Sequence, residues 1–433
     1  MTNTGGQNSG GQNSGRGRNS SGRTNIAGAR NARRSGSRAP SRRAETEKPK
    51  VVARPPNARR VALNILNAVD EGAYANLILP QLLARARREG MEERDAALVT
   101  ELVYGTIRMR RQLDAVLAPH LARTPDAGIR TVLRLGTYQI RHLRVPAHAA
   151  VSETVDIAPL RGRGFVNAVL RQVAAAKASP PFSTDGERLS YPDWIVGALT
   201  TSLGVADAID VLEAMNIAAV VHLRADGYVQ DLASQAVATF AGAKTGERVL
   251  DLGAAPGGKT TAMAGAGAFV VAGDLHAHRV GLIAENVRSL TLGDRVALLQ
   301  CDARNLPFRP GSFDRVLVDA PCSGLGSLRR RPDARWRIEE SDVADLVALQ
   351  QTFIRSAHDA LRPGGVLVFS VCTLTNDETL GIDSWIGEQF PDLTALERPQ
   401  GTGWRPWGRG AVVLPAATDG MFAVAYRKAD FAR

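Results

Sequence analysis

Two cysteines stand directly after two apolar segments that are predicted strands. Cys322 lies in DAPCSG (residues 319–324) after RVLV, and Cys372 lies in SVCTL (residues 370–374) after VLVF. Neighbouring strand ends of a doubly wound sheet open onto one crevice, so we expect both thiols at a single ligand site. A thiolate that adds to carbon 6 of a pyrimidine makes an enamine, whose carbon 5 can then take up a methyl group. The residue types therefore predict covalent catalysis on a pyrimidine ring.

This chemistry makes demands on the surroundings of the thiol. A free cysteine has a pKa of about 8.5, so a nucleophilic cysteine needs positive charge or a base nearby. Lys259 is the candidate for this role. An acid near ring nitrogen 3 and a base for the carbon 5 proton would complete the reaction. The third cysteine, Cys301, precedes Asp302 on another predicted strand and is interpreted as a small buried hydrophobe.

A glycine-rich loop, GAAPGGKT (residues 253–260), follows the first predicted strand, VLDL (residues 249–252). It matches the G-x-x-x-x-G-K-[ST] pattern of phosphate-binding loops, and RVLVD (residues 315–319) could supply the Mg²⁺-binding acid of a nucleotide hydrolase. The same glycines could instead bring the backbone close to S-adenosylmethionine, which has no phosphate. The loop alone leaves both interpretations open.

Acidic residues end the first four predicted strands: Asp251, Asp274, Asp302 and Asp319. Asp274 stands where a carboxylate binds a ribose, and Asp302 could reach an adenine edge. This pattern favours S-adenosylmethionine, and so do the two cysteines, for which a nucleotide hydrolase has no use. His276 and His278 form the only close histidine pair and lack further ligands, so no metal site is predicted.

The segments around these motifs predict how they are positioned. Strands and helices alternate through residues 228–433, which is typical of a doubly wound, Rossmann-like α/β domain. Residues 55–178 show helical spacing and predict an all-α domain, in which Asp95 is the expected cap of a helix. Residues 179–227 form a helical linker. Arginines recur in the all-α segment and mark either a solvated surface or an RNA-binding one: Arg108, Arg110, Arg111, Arg130, Arg134, Arg141 and Arg144.

The chain has 433 residues and a formal charge of +11, most of it in the first 54 residues. This Gly/Ser/Asn/Arg-rich segment predicts a disordered basic tail that either solubilises the protein or attracts RNA phosphates. No apolar run reaches the roughly 20 residues of a membrane span, and no secretory signal is recognised. With 3 cysteines, a disulfide framework is excluded. We expect a cytoplasmic monomer without a membrane or metal partner.

The motifs in residues 251–260, 319–324 and 370–374 resemble those of the RsmB/Sun (Fmu) family of RNA cytosine-5 methyltransferases. QDLASQ (residues 230–235), GLGSLRRRPD (residues 324–333) and DGMF (residues 419–422) match as well. The segment around FVNAVLR (residues 165–171) is similar to the NusB-like RNA-binding domain at the N-terminus of that family. The resemblance covers roughly residues 55–430.

This resemblance implies a reaction and a role for each site residue. Cys372 would be the nucleophile and Cys322 would assist product release, whereas strand position alone leaves the two cysteines equivalent. Asp319 would also lie near the target base, a cytosine in small-subunit (16S) ribosomal RNA. The residues that would hold S-adenosylmethionine are Gly253, Ala254, Ala255, Pro256, Gly257, Gly258, Lys259, Asp274, Asp302 and Asp319.

One connection is shorter than the family pattern. HLRA (residues 222–225) runs almost directly into GYVQD (residues 227–231), where family members carry several dozen residues that form a small RNA-recognition-like subdomain. Because the catalytic motifs are complete, RNA methylation is the expected reaction. The alternatives are a non-catalytic RNA-binding or ribosome-assembly factor on a methyltransferase fold, and then a nucleotide hydrolase.

Overall fold

The computed structural model describes residues 55–176, 178–401 and 403–430, so the predicted basic tail lies outside the described residues. The α-helices are α1 (Ala58–Asp70), α2 (Ala75–Arg88), α3 (Glu93–Arg108), α4 (Arg110–Leu117), α5 (Ala127–His142), α6 (Ala147–Ile157), α7 (Arg163–Ala175), α8 (Asp185–Leu189), α9 (Asp193–Leu203), α10 (Val205–Ala214), α11 (Leu232–Phe240), α12 (Gly258–Gly265), α13 (Ala277–Ser289), α14 (Asp342–Ala360) and α15 (Leu380–Gln389). The strands are β1 (Arg248–Leu252), β2 (Phe269–Asp274), β3 (Val296–Gln300), β4 (Phe313–Asp319), β5 (Leu361–Val371), β6 (Leu393–Ala395), β7 (Trp404–Trp407), β8 (Gly410–Val413) and β9 (Met421–Lys428).

Helices α1 to α7 form the predicted all-α domain. Helix α1 begins after Asn57, whose Oδ1 accepts a hydrogen bond from the Arg60 backbone N–H at 3.0 Å. Helix α5 is capped in the same way by Asp126. Both caps satisfy backbone N–H groups that have no partner inside the helix. The apolar sides of the helices close around one core, which includes Leu66, Leu102, Leu133 and Leu170.

Two details of this domain differ from the sequence-based expectation. Helix α3 already begins at Glu93, so Asp95 lies in its first turn and not at the cap position. There its negative charge still favours the positive end of the helix dipole. The structure also adds the short helix α4 and helix α2, which contains Pro80. Proline is unusual inside a helix because it lacks an N–H, and this explains why the sequence did not indicate α2.

The α/β domain is a nine-stranded sheet in the order β3-β2-β1-β4-β5-β9-β8-β7, with β6 beside β9. Strands β1 to β5 are parallel, which confirms the doubly wound prediction for the part that carries the motifs. The strands that follow pair in the antiparallel direction and extend the sheet beyond β5. No helix among the described residues has the length and apolar character needed to cross a bilayer.

Residues 324–337, here called the junction loop, lie between β4 and α14 in the chain. The loop packs against the helices that precede the sheet. Arg335 in this loop is fully buried, and its Nη1 donates to the carbonyls of Arg108 and Ser190 at 3.2 and 3.1 Å and to Asn216 Oδ1 at 2.9 Å. The guanidinium also lies 3.9 Å from the Tyr191 ring centroid. Burial lowers the pKa of Arg335 to about 10, which leaves it a cation at neutral pH. A buried charge that binds carbonyl oxygens is therefore one of the contacts that hold the junction.

The Arg335 guanidinium should make a large contribution to stability. Arg335→Ala leaves three buried acceptors without a donor and opens a cavity, so we expect the free energy of unfolding to fall by about 3 kcal/mol or more. Arg337→Ala removes donors to the carbonyls of Gly72 and Ala73 from a side chain that is 28% exposed, and should cost only about 1 kcal/mol. Urea unfolding followed by tryptophan fluorescence measures both losses. Equal losses would contradict the assignment of Arg335 as the main junction contact.

Candidate active site

The glycine-rich loop turns tightly between β1 and α12. Gly253 has a φ of +73°, and a Cβ placed on it would lie 2.6 Å from the carbonyl oxygen of Asp319. Gly257, just before α12, has a φ of +104°, and its Cβ would lie 3.1 Å from the Ile283 side chain. Side chains rarely adopt such angles, and here they would also collide with their neighbours. The glycines therefore let the loop backbone lie directly against the end of β4.

Asp251 and Asp274 end β1 and β2 as buried carboxylates. Asp251 accepts a hydrogen bond from Thr260 Oγ1 at 2.6 Å, and burial raises the pKa of Asp251 to about 7. Asp274 accepts from the backbone N–H of His276, but its Oδ2 has no hydrogen-bond partner among the described residues. The nearest cation, Arg279 Nε, is 3.5 Å from that oxygen. A buried oxygen without a donor is costly, so Asp274 is suited to receive a hydroxyl group of a ligand.

Asp302 differs from the other strand-end acids. Its side chain is 35% exposed and is bound by Arg304, with Nη2 and Oδ2 2.7 Å apart. The hydrogen bonds from Arg304 lower the pKa of Asp302, which keeps it ionised. The structure thus places Asp302 beside β3 as predicted, but with a partner of its own.

Asp319 and Lys259 form an ion pair where the glycine-rich loop meets β4. Lys259 Nζ lies 2.7 Å from Asp319 Oδ2, while Ser370 Oγ donates to Asp319 Oδ1 at 2.9 Å. Burial alone would lower the pKa of Lys259, but the charge of Asp319 and its hydrogen bond outweigh this and raise it. Lys259 is therefore a cation whose direct partner is Asp319. The sequence instead predicts that Lys259 is the positive charge that favours the thiolate form of a cysteine.

The two predicted thiols meet. Cys322 Sγ and Cys372 Sγ are 3.5 Å apart, at the ends of β4 and β5. Behind them, the Gly326 N–H donates to the Cys372 carbonyl at 2.9 Å, and the Gly420 N–H donates to the Gly326 carbonyl at 2.8 Å. A Cβ on Gly326 would lie 2.3 Å from the Gly420 oxygen. The GLGS and DGMF motifs thus form the wall that holds the Cys372 backbone.

The two thiols differ in acidity. The hydrogen bond from Cys322 lowers the pKa of Cys372 to about 7, against the opposing effects of burial and of Asp319, with Ser327 and Arg331 acting in the same direction as Cys322. The same hydrogen bond, together with burial, raises the pKa of Cys322 well above its ordinary value. Hydrogen bonding to the charged form of an acid stabilises that form. The contact between the two sulfur atoms leaves either thiol as the donor, and Ser327 and Arg331 beside Cys372 favour Cys372 as the thiolate.

Glu378 is a residue of this site that sequence reasoning missed. It is fully buried, and its Oε1 accepts from the Ser323 N–H at 2.8 Å and from Gln350 Nε2 at 3.1 Å. Its Oε2 accepts from three hydroxyls, those of Ser323, Thr373 and Thr375. Ser323 follows Cys322 and Thr373 follows Cys372, so one carboxylate ties together both cysteine loops. A lone Glu six residues after Cys372, in a segment rich in hydroxyls, was the available signal.

A parallel sheet of this order, with a glycine loop after β1 and carboxylates at the strand ends, defines a Rossmann-like methyltransferase, here preceded by a NusB-like helical domain. The family model "16S rRNA methyltransferase RsmB/F" matches residues 238–425, and the NusB family model matches residues 56–175. The chain belongs to the RsmB/F family of 16S rRNA methyltransferases. The nucleotide-hydrolase interpretation of the glycine-rich loop is therefore wrong.

Individual relatives agree with this assignment. The Mycobacterium tuberculosis protein Rv1407, a methyltransferase by name, is 39% identical over 452 residues, which cover 86% of this chain and 96% of Rv1407. Ribosomal RNA small subunit methyltransferase B of Thermus thermophilus is 36% identical over 353 residues, with 75% of this chain and 85% of the relative covered. The crystal structure of PH0851 has the same fold, with a TM-score of 0.71 at 21% identity over 86% of this chain and 99% of its own.

The relatives also bear on the short connection. The alignment with Rv1407 is 452 residues long, although it covers 86% of a 433-residue chain. Rv1407 therefore has several dozen residues without a counterpart here, in line with the short connection at residues 222–231.

S-Adenosylmethionine is the cofactor of this methyltransferase class, and the residues present fit it. Gly253 and Gly257 let the loop backbone pack closely against Asp319 and Ile283, and the buried Asp274 oxygen without a hydrogen-bond partner among the described residues suits a ribose hydroxyl. The described residues contain no cluster of His, Cys, Asp and Glu that could hold a metal ion.

Removing the Cys322 thiol should make Cys372 less acidic. In the wild type, alkylation of Cys372 by iodoacetamide should reach half its maximal rate near pH 7. In Cys322→Ala the thiolate loses its hydrogen bond, so this midpoint should rise toward about 8.5, the value of a free cysteine. Mass spectrometry of the Cys372 peptide between pH 5 and pH 10 measures it, with Cys301→Ala as the control that keeps the wild-type midpoint. An unchanged midpoint in Cys322→Ala would refute Cys322 as the source of the shift.

Replacing Glu378 by Gln should disturb both cysteine loops. The amide group can no longer accept from all five donors, so we expect a loss of about 1–3 kcal/mol in unfolding free energy and a higher alkylation midpoint for Cys372. Glu388→Gln, at an exposed position on α15, is the matched control and should change neither property. A destabilised Glu378→Gln variant with a wild-type alkylation profile would show that Glu378 supports the fold but does not position the thiols.

Proposed function

We propose that this protein methylates carbon 5 of a cytosine in small-subunit ribosomal RNA through a covalent adduct between Cys372 and the base. The observation that carries the proposal is the thiol pair, with Cys322 and Cys372 Sγ 3.5 Å apart beside the Asp319–Lys259 ion pair. The names of the relatives supply the RNA class. The residues supply the chemistry.

The reaction begins at Cys372. Its thiolate forms a bond to carbon 6 of cytosine, and the electron pair of the ring double bond moves toward carbon 5 and nitrogen 3. Lys259 is a cation and forms an ion pair with Asp319 at the end of β4. This pair is suited to hold or deliver a proton at nitrogen 3 of the base. S-Adenosylmethionine supplies the methyl group that carbon 5 receives.

Product release reverses the addition. A base takes the proton from carbon 5, the ring double bond re-forms, and the bond between carbon 6 and Cys372 Sγ breaks. Cys322 is placed to stabilise the departing thiolate with the same hydrogen bond that makes Cys372 acidic. This accounts for the role in release that the resemblance implies for Cys322.

The cofactor would occupy the edge formed by the glycine-rich loop and the ends of β2 and β3. Residues 253–259 would approach it with their backbone, and Asp274 would bind a ribose hydroxyl. Asp302 would reach the adenine edge only by sharing its carboxylate with Arg304, because that ion pair engages the carboxylate. Of the proposed cofactor ligands, Asp302 is thus the one whose substitution should cost least affinity.

The alternative is a non-catalytic RNA-binding factor, and the several dozen residues that this chain lacks favour it. The intact thiol pair opposes it, because a binding protein has no need for two cysteine sulfur atoms 3.5 Å apart at neighbouring strand ends.

The test is methyl transfer from radiolabelled S-adenosylmethionine to protein-free small-subunit rRNA. Wild type and the matched control Cys301→Ala should yield labelled 5-methylcytosine. Cys372→Ala should yield none, with a loss of at least about a thousandfold, since removing a covalent nucleophile commonly costs that much or more. Cys322→Ala should leave a protein–RNA adduct that survives denaturing electrophoresis.

Each other result has a distinct meaning. Product from Cys372→Ala would overturn the nucleophile assignment. Cofactor binding by the wild type without methylation of any rRNA would favour the non-catalytic alternative. Label at a ring position other than carbon 5 would overturn the proposed chemistry while leaving the methyltransferase class intact.

A further inference from the structure

A cavity of about 230 Å³ lies where the helical domain meets the junction loop. Its wall combines residues of α1, α3, α4 and α5 with Trp336 and Arg337 of the junction loop. The lining is partly apolar, and its charged side chains are three arginines and two carboxylates: Arg110, Arg134, Arg337, Asp70 and Asp333. The mechanism above uses none of these residues.

The arginines of this cavity differ in what they already bind. Arg134 is 4% exposed and forms two hydrogen bonds to Asp114, at 2.7 and 2.6 Å. Arg337 donates to the carbonyls of Gly72 and Ala73. Both are therefore structural, and so is the fully enclosed Arg108, which is 5% exposed. Part of the arginine series in the sequence thus serves the fold and not an RNA-binding surface.

Arg110 is the exception. Its guanidinium makes no hydrogen bond and no ion pair within the described parts of the chain, and it lies 5.6 Å from the Trp336 ring centroid. Burial, followed by the neighbouring charge of Arg134, lowers the pKa of Arg110. Asp70 in the same wall pulls in the opposite direction, but its Oδ2 accepts from Thr131 Oγ1 at 2.6 Å. A partly buried cation without a direct partner keeps N–H donors that a ligand could bind.

A second group in the cavity wall also lacks a hydrogen-bond partner. Thr106 Oγ1 is buried, in a residue that is 2% exposed, and has no hydrogen-bond partner in the part of the chain described. A hydroxyl donor and guanidinium donors around one small cavity are the set of groups that binds phosphate oxygens in proteins. The donors of Arg110 and Thr106 are thus available to an anion, while Asp333 in the same wall is engaged by the Ala75 N–H at 3.2 Å and by Arg337 Nε at 3.6 Å.

We propose that this cavity binds a backbone phosphate of the RNA substrate, with Arg110 as its principal ligand and Thr106 as a second donor. This inference rests on the proposed function for the identity of the RNA. The position of the cavity also relates RNA binding to the active site. Trp336 and Arg337 belong to the junction loop, and the other end of that loop, at Gly326, holds the Cys372 carbonyl. A phosphate bound here would anchor the RNA on the same loop that supports the nucleophile.

If Arg110 binds a phosphate, replacing it should lower RNA affinity without lowering stability. A structural role for Arg110 would instead lower stability. Arg110→Gln removes a partly buried charge that makes no hydrogen bond or ion pair among the described residues, so the melting temperature should stay equal or rise. RNA affinity should nevertheless fall about tenfold, and the slope of log affinity against log salt should decrease by about 0.7–0.9, the contribution of one phosphate. Arg110→Lys keeps the charge and should recover part of the affinity.

The matched control is Arg94→Gln, which removes one positive charge from an exposed position of the same helical domain. The Arg94 side chain is 87% exposed, and its nearest carboxylate, Asp95, is 4.0 Å away. Affinities are measured by fluorescence anisotropy of a labelled small-subunit rRNA fragment over a series of salt concentrations, with the full chain. Arg94→Gln should bind as the wild type does.

The possible outcomes are distinct. If Arg110→Gln and Arg94→Gln bind RNA equally well, no phosphate is bound at this cavity, and the proposed function is untouched as long as the wild type methylates RNA. If Arg110→Gln melts at a lower temperature and Arg110→Lys restores stability but not affinity, Arg110 is structural and the proposal fails. A third arm uses inorganic phosphate and adenosine monophosphate. Suppose that either compound at millimolar concentration stabilises the wild type but not Arg110→Gln, while both proteins bind RNA equally well. The cavity is then a small-anion site and not an RNA-binding one.

Discussion

The active site depends on one buried carboxylate. Glu378 accepts five hydrogen bonds, and the donors come from the loop after β4, the loop after β5 and helix α14. Parallel strands bring the ends of β4 and β5 to the same edge of the sheet, but they do not fix the loops beyond that edge. Because the residues next to both cysteines bind the same carboxylate, the two sulfur atoms are held 3.5 Å apart.

The charges around the thiols follow from that placement. Asp319 raises the pKa of Cys372, so a bare carboxylate at this position would work against a thiolate. Lys259 compensates by pairing with Asp319, and Cys322 supplies the hydrogen bond that outweighs the remaining effects. The glycine-rich loop contributes to the placement of Asp319 in two ways. It carries Lys259 near its end, and its first glycine lies against the Asp319 carbonyl. A pattern that also matches a phosphate-binding loop thus holds a carboxylate in place.

The sequence predicted the parts that depend on local pattern. The five parallel strands, the all-α domain and the meeting of Cys322 and Cys372 all follow from alternation, helical spacing and the position of residues at strand ends. It did not predict the contacts between distant segments. Glu378 is an ordinary acid in the sequence, and its role requires that Ser323, 55 residues away, arrives beside it. Lys259 was expected to serve the thiolate because its proximity to Asp319 cannot be read from spacing.

The short connection before β1 shows why the catalytic part can do without the residues that the relatives carry. Residues 222–230 form a tight turn in which Leu223 and Val229 pair as an isolated antiparallel bridge, and Gly227 adopts a φ of +82°. Arg224 lies over the Tyr228 ring and donates to the carbonyl of Gly258 at 2.6 Å. The turn therefore braces the cofactor loop from outside by itself. Every contact described above that positions the two thiols, Asp319 and Glu378 comes from segments that this chain retains.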